Sequence, residues 1–324
     1  AEGGIAAVQR IERIGIVGAG PGGLTSAMIL AHRGFDVTVF EKQETVGGRN
    51  APVRLGEYVF DTGPTFLMMA FILEEIFAET GRDVRDSLEM VRLDPLYRLA
   101  IGGKEFFPSA DLEETKRQIE THFPGNGDGL DRFLKTEGLR FERLMPCLQK
   151  DYGSMRAYLD PIFLRALPRM SLGRSLYQNL GRYFSDDDLK LCFSFQSKYL
   201  GMSPWGCPAF FTMLCYIEHA FGIYHVMGGL NRISQAMADV VREEGGNILL
   251  NTNVDRLLIE NGRAVGVRLA DGEEQRFDRL VLNADFGYAM NRLVPPGTLH
   301  RYAPDKLRTW ELSCSTFMLY LGVN

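Results

Sequence analysis

Three glycines in the stretch "IGIVGAGPGG" at 14–23 fit the pattern G-x-G-x-x-G: Gly18, Gly20 and Gly23. Each has a separate task. Gly18 permits a tight turn out of a strand, Gly20 lets backbone approach a pyrophosphate, and Gly23 lets a helix pack closely on the sheet. Pro21 and Gly22 complete the loop, and the helix that follows offers unpaired N–H groups and a positive dipole end to an anion. Glu41 comes at about the 20-residue distance expected of a carboxylate that accepts from ribose hydroxyls, with Lys42 beside it. An acid at that place is unsuited to a 2′-phosphate, which disfavours NADP. A phosphate-bearing dinucleotide is therefore the expected ligand, nicotinamide or flavin.

Other chemistry is scarce. No nucleophile triad and no metal-ligating constellation is visible, and Cys147, Cys192, Cys207, Cys215 and Cys314 form neither a CxxC pair nor a regular framework. They read as buried free thiols. His225 in "GIYHVMGG" and the charges Asp160 and Arg165 in "LDPIFLRALPRM" are the remaining polar candidates, and they read best as a structural histidine and one wet helix face. No catalytic residue is assigned.

The elements that must position the glycines follow from pattern. "RIGIVGAG" is a buried parallel strand, "GGLTSAMILAHRG" a helix ended by Gly34, and "FDVTVFE" a second strand ending at Glu41: a βαβ crossover over 12–41. Residues 70–200 carry helical patterns such as "LEEIFAETGRD" and "DLEETKRQIETHF", with Phe, Met and Tyr thickening from 140 onward. From 228 the glycines return ahead of a helix, "GGLNRISQAMADVVREEGG". Four strand-like runs follow, "NILLNT", "VDRLLIE", "AVGVRLA" and "RLVLNA", with Asn261-Gly262 and Asp271-Gly272 supplying hairpin turns between successive runs. "STFMLYLGVN" reads as a further strand.

The 324 residues are 45% hydrophobic and 24% charged with net charge −5, so an ordinary core forms and no broad basic surface for nucleic acid is present. No apolar run approaches the ~18 residues needed to span a bilayer. The opening "AEGGIAAVQRIER" is no secretory signal and reads as a frayed lead-in.

"GGRN" directly after the second strand and "FDTGPT" at 60–65 suit an extended flavin dinucleotide better than NAD. With "GAGPGGL", "FEKQETVGGRN", "FSFQSKYLGMSP", "GIYHVMGGLNRISQAMA" and "LVLNAD", the chain resembles the bacterial phytoene desaturase (carotenoid desaturase) family of the flavin amine-oxidase superfamily from about residue 12 onward. The resemblance implies non-covalent FAD. It places the pyrophosphate on Gly18, Gly20 and Gly23, the ribose on Glu41, and the middle of the cofactor beside Gly48 and Arg49. Gly63, Pro64 and Thr65 would lie along the isoalloxazine ring, and the backbone of Val254 would meet the adenine.

It also implies an α/β fold: a Rossmann-like FAD-binding domain of parallel sheet plus β-meander, with an inserted, mostly helical substrate and membrane-associating domain. The expected segments are 1–75 and 226–288 for the FAD domain, 76–225 for the helical domain, and 289–324 for a returning piece of the helical domain. The family carries a further C-terminal glycine-rich segment absent here, so the chain reads as an N-terminal fragment. The expected reaction is desaturation of a long apolar polyene by hydride transfer to the flavin, with oxygen or a quinone as electron acceptor. The expected place is the cytoplasmic side of a membrane, attached peripherally. Carotenoid end-group oxygenases, isomerases and other amine-oxidase-type enzymes are alternatives, and an isoprenoid-binding escort protein is the non-enzyme alternative.

Overall fold

A computed structural model describes residues 11–323; the first ten residues of the "AEGGIAAVQRIER" lead-in lie outside them, and Arg13 already belongs to a strand. Two compact units result, one of Ala1–Val91, His225–Glu311 and Leu319–Asn324, the other of Arg92–Tyr224 and Leu312–Met318.

In the first unit, strand Arg13–Val17 passes through Gly18 into helix Pro21–His32, and Gly34 (φ +85°) turns the chain into strand Asp36–Phe40. Four strands form a parallel sheet in the spatial order Asn247–Leu249, Asp36–Phe40, Arg13–Val17, Arg279–Leu282, with Ile16 level with both Val39 and Val281. Its β-branched residues Ile14, Ile16, Val37 and Val39 are fully covered, as parallel strands require. Each contributes about 1.5–3 kcal/mol of burial. Leu24, Ala27, Met28 and Ala31 of the first helix meet Ile233, Met237, Val240 and Val241 of helix Asn231–Glu243 in that core.

An antiparallel meander of Val254–Glu260, Arg263–Leu269 and Glu274–Arg276 follows. Asn261 (φ 51°) and Gly262 (φ 75°) make its first turn, with both residues in the left-handed region that such hairpins need. The sequence pattern pairs "AVGVRLA" with "RLVLNA" across Asp271-Gly272. Instead, Glu274–Arg276 makes that hairpin, and Arg279–Leu282 joins the parallel sheet beside the first strand. The third meander strand is too short and too charged to show an apolar alternation.

The expected strand in "STFMLYLGVN" does not form: no other described segment pairs with it, and Phe317, Leu319 and Leu321 stand exposed. Tyr320 rests on Phe60, ring centroids 5.5 Å apart.

The segment before helix Asn231–Glu243 turns through Gly228 and Gly229, both at positive φ. The Leu230 N–H there donates to the Asp61 carboxylate at 3.2 Å, and a Cβ on Gly229 would lie 2.9 Å from that oxygen. A carboxylate at a helix entrance satisfies an open amide and complements the dipole. Asp61→Ala is expected to cost about 1 kcal/mol, read as a lower urea midpoint, with Asp61→Asn retaining most of it; equal losses in both variants would refute the capping role.

The second unit is mostly helical. Its longest helix, Gly127–Leu148, lies among Leu112–His122, Pro161–Ala166, Leu176–Leu180, Asp187–Cys192 and Met213–Phe221. Phe106, Phe123, Phe133, Phe184 and Phe193 fill its core. No helix among the described residues is long and apolar enough to cross a membrane.

The chain passes from one unit to the other at 91/92, 224/225, 311/312 and 318/319. Residues 76–91, which the sequence reading put with the helical insert, lie in the first unit, where Phe77, Val84 and Leu88 enter its core. Residues 289–311 also lie in the first unit. Cys147, Cys192, Cys207 and Cys215 are buried thiols and Cys314 is exposed.

Candidate dinucleotide cleft

The site begins where the first strand ends. Gly18 sits at φ +101°, its N–H donating to the Phe40 carbonyl at 2.8 Å, and a Cβ there would lie 2.3 Å from the Asn283 carbonyl oxygen. Only glycine fits on both counts. A Cβ on Gly23 would lie 2.1 Å from the Gly18 carbonyl oxygen, so Gly23 is where the helix closes onto the turn.

Gly20 differs. Its backbone is extended (φ −72°, ψ 171°), and a Cβ would meet only the Asn283 side-chain amide, at 3.3 Å. Gly20 is the N-cap of helix Pro21–His32, Pro21 occupies the first turn, and no side chain caps the helix. Gly20 and Gly22 line an open cleft and no side chain occupies the helix end, so an anion can approach these amides.

Glu41 is buried at the end of the second strand. One carboxylate oxygen accepts from the Ala19 N–H at 2.9 Å and the other from the Gln43 N–H at 2.9 Å. The carboxylate thus braces the glycine turn while retaining lone pairs for a further donor, such as a sugar hydroxyl. The "GGRN" segment lies against the same turn. The Gly47 N–H donates to the Ala19 carbonyl at 2.8 Å, and a Cβ on Gly48 (φ +53°) would lie 3.2 Å from the Gly20 Cα. Arg49 extends into solvent and pairs with Asp285 at 3.2 Å, a surface ion pair that is free to exchange partners.

Together these residues line a cleft of about 760 Å³. Gly18, Gly20, Pro21, Gly22, Gly48 and Arg49 form its anion-accepting part, Glu41 and Lys42 follow, and Thr252 and Asn253 with the apolar faces of Val254, Tyr288 and Leu293 line the remainder. The Lys42 ammonium sits 5.3 Å from the Tyr288 ring centroid. A glycine turn at a helix N-terminus, a buried carboxylate and an apolar slot match in kind the pyrophosphate, ribose and purine of a dinucleotide.

Of the residues singled out from sequence, nine line this cleft: Gly18, Gly20, Pro21, Gly22, Glu41, Lys42, Gly48, Arg49 and Val254. Gly23 stands behind it as a packing residue. Gly63, Pro64 and Thr65 do not line it; a Cβ on Gly63 would lie 2.4 Å from the Arg49 carbonyl oxygen, so that glycine supports the Arg49 turn. His225 is not in the cleft. Asp160 caps helix Pro161–Ala166 and binds Lys150 at 2.5 Å, which chiefly holds its carboxyl below the usual range. Sequence reasoning missed Asn283, Asp285, Phe286 and Tyr288. The "LVLNAD" string was visible, but its strand's place beside Arg13–Val17 was not.

The second unit holds two buried carboxyls. Glu218 accepts from Gln196 at 2.7 Å and from the hydroxyls of Tyr97 and Tyr199, each at 3.0 Å; burial raises its pKa. Its neighbour His219 is stacked on Phe193, and burial pushes its pKa down to about 4, so it is neutral at pH 7. Glu137 pairs with Arg140. Among the described residues there is no cluster able to hold a metal.

The family described as flavin containing amine oxidoreductase matches residues 21–313. A 4,4'-diapophytoene desaturase (4,4'-diapolycopene-forming) of Methylomonas sp is 49% identical over 313 residues, 97% of this chain and 61% of that protein. A zeta-carotene-forming phytoene desaturase of Myxococcus xanthus is 36% identical, over 96% of this chain and 60% of that protein. The chain thus spans about 60% of the length of these curated relatives. Among solved structures, a protein of Pyrococcus furiosus matches with a TM-score of 0.63 at 19% identity, covering 93% of this chain and 66% of that one, which shows the fold.

Proposed function

The chain belongs to the flavin-containing amine oxidoreductase family, and on that premise we propose that it serves as an FAD-dependent desaturase of a long apolar polyene, a CH–CH oxidoreductase of carotenoid synthesis. The observation that carries this is the cleft: an uncapped helix N-terminus behind Gly20, with the buried Glu41 carboxylate beside it. A phosphate-bearing dinucleotide suits it, and FAD is the flavin form. The likeness to the two carotenoid desaturases supports the substrate class.

When bound, FAD supplies the hydride acceptor; the protein supplies placement and exclusion of water. Backbone amides at Gly20 and Gly22 would hold the pyrophosphate. Glu41 would accept from the adenosine ribose, as it already accepts from Ala19 and Gln43. Arg49 can leave Asp285 to neutralise phosphate charge, and the Val254 backbone borders the purine. Gly63, Pro64 and Thr65 are proposed to run beside the ring system. The helical unit contributes apolar side chains suited to a hydrocarbon. No base for the accompanying proton is assigned. Oxygen or a quinone is the proposed electron acceptor. A polyene dissolves only in lipid, so the proposal includes peripheral contact with a membrane.

The test is expression in cells that accumulate diapophytoene or phytoene. Purified protein should carry a flavin absorption spectrum, and the cells should form coloured, more conjugated polyenes. Oxygenated or isomerised pigment without new double bonds would favour an oxygenase or an isomerase. Flavin-free protein that retains colourless polyene would favour the escort-protein reading and refute the desaturase.

A further inference from the structure

The second unit carries a surface that its own packing does not explain. Between Met145 and Arg174, Leu148, Met155, Leu159, Leu164 and Leu172 are 62%, 80%, 71%, 47% and 69% exposed. Interleaved with them are Arg156, Arg165, Arg169 and Arg174, all exposed and, among the described residues, without an acidic partner. This stretch holds five cationic side chains and two carboxylates, in a chain whose net charge is −5. Of the two carboxylates, Asp160 is already engaged by Lys150.

The segment is held in shape. Tyr152, Tyr158 and Phe163 form a three-ring cluster with centroids 5.3–5.8 Å apart, and Ala166 is buried against Leu144, Cys147 and Met213. The segment itself lines an open apolar groove of about 360 Å³, whose walls include Leu148, Met170, Phe210 and Met213. Exposed leucines alone would suit any apolar partner. Unpaired arginines set among them point to an anionic one, because their charge is otherwise left to solvent.

We propose that this face, residues 145–174, docks on an anionic lipid surface, with the leucines and Met155 entering the headgroup–acyl boundary and the arginines contacting lipid phosphates. This rests on, and gives a place and a lipid charge to, the membrane contact of the proposed function. Arginines with apolar stems can lie along the interface while their guanidinium groups remain at phosphate level. The open apolar groove on this face would admit the end of a hydrocarbon chain.

The experiment is vesicle flotation with the purified chain, without flavin or polyene, so that its result is independent of the redox reading. Two vesicle types are used, phosphatidylcholine alone and phosphatidylcholine with about one third phosphatidylglycerol. Binding to the anionic vesicles should be at least about tenfold tighter and should weaken with salt. The combined variant Arg156→Gln, Arg165→Gln, Arg169→Gln should lose that preference, and Met155→Ser with Leu159→Ser should weaken binding to both types. Exposed arginines elsewhere, Arg242→Gln with Arg268→Gln, should change nothing. Thermal unfolding of each variant reports that it is folded. The proposal is overturned if wild type ignores both vesicle types, prefers neither, or binds unchanged after the arginine substitutions. It is overturned equally if the serine variants convert a dimer into a monomer, which would assign the face to a second copy. Vesicle binding without pigment formation would leave this surface standing and remove only the desaturase.

Discussion

Gly20→Val is expected to give a folded protein that has lost FAD. The φ and ψ of Gly20 lie in the extended region that valine favours, and its Cβ meets only the flexible Asn283 amide at 3.3 Å. Stability should therefore change by no more than about 1 kcal/mol. The added methyls, however, fill the open front of the helix N-terminus, where the account places the pyrophosphate. Affinity for FAD or ADP, measured by titration calorimetry, should fall about 100-fold, equivalent to about 2.8 kcal/mol. Gly23→Ala makes the contrast. Its Cβ would press on the Gly18 carbonyl at 2.1 Å, so that variant should be destabilised by about 1–3 kcal/mol, with any loss of ligand following from damage to the fold. If Gly20→Val bound FAD as wild type does, the glycine turn would be only a structural device.

The second large effect is expected at Arg140. This side chain is buried, and Glu137 beside it is wholly so. Arg140 donates to Glu137 at 2.6 Å, to the carbonyls of Ala209 (3.0 Å) and Arg169 (2.8 Å), and to the Ser171 hydroxyl at 2.9 Å. Glu137 in turn accepts from Tyr183 at 2.6 Å and Asn179 at 3.0 Å. The network joins the middle of helix Gly127–Leu148 to three later stretches of the same unit, around residues 169–171, 179–183 and 209. Burial raises the Glu137 pKa, and Arg140 opposes that rise. Arg140→Met would leave a buried carboxylate uncompensated, costing about 3–5 kcal/mol in urea unfolding.

The double variant Glu137→Met with Arg140→Met should recover much of that loss, since no charge is then stranded. The pH sign also follows. Without Arg140 the folded pKa of Glu137 rises further, and a carboxyl whose folded pKa is raised destabilises in its charged form. The penalty of Arg140→Met should therefore shrink as pH falls through that raised value. A loss below 1 kcal/mol, or a penalty that grows on acidification, would contradict this reading.

The parts of the fold legible in the sequence are those that local pattern determines. The βαβ unit could be read because glycine turn, helix period and strand run are contiguous over 12–41. Asn261-Gly262 could be read because a tight hairpin needs two positive φ angles. The far wall of the cleft was hidden for the opposite reason. Asn283, Asp285 and Tyr288 line the cleft only because Arg279–Leu282 pairs in parallel with Arg13–Val17, a contact across most of the chain. Periodicity carries no information about such a partner. The edge of the first unit was obscured because "LEEIFAETGRD" is amphipathic and would suit either core. Its Leu73 and Phe77 pack with the sheet's helices. The "STFMLYLGVN" run shows the same limit, since β propensity makes a strand only where an edge is available to pair with it.

Amide hydrogen exchange on the purified chain with and without FAD tests the central claim most directly. Binding should protect three separate stretches together: residues 18–24 at the glycine turn and helix entrance, 41–49 from Glu41 to Arg49, and 252–254 at the apolar end. Protection confined to other segments, or FAD bound with the amides of 18–24 exchanging as before, would show that the cofactor does not rest on this turn.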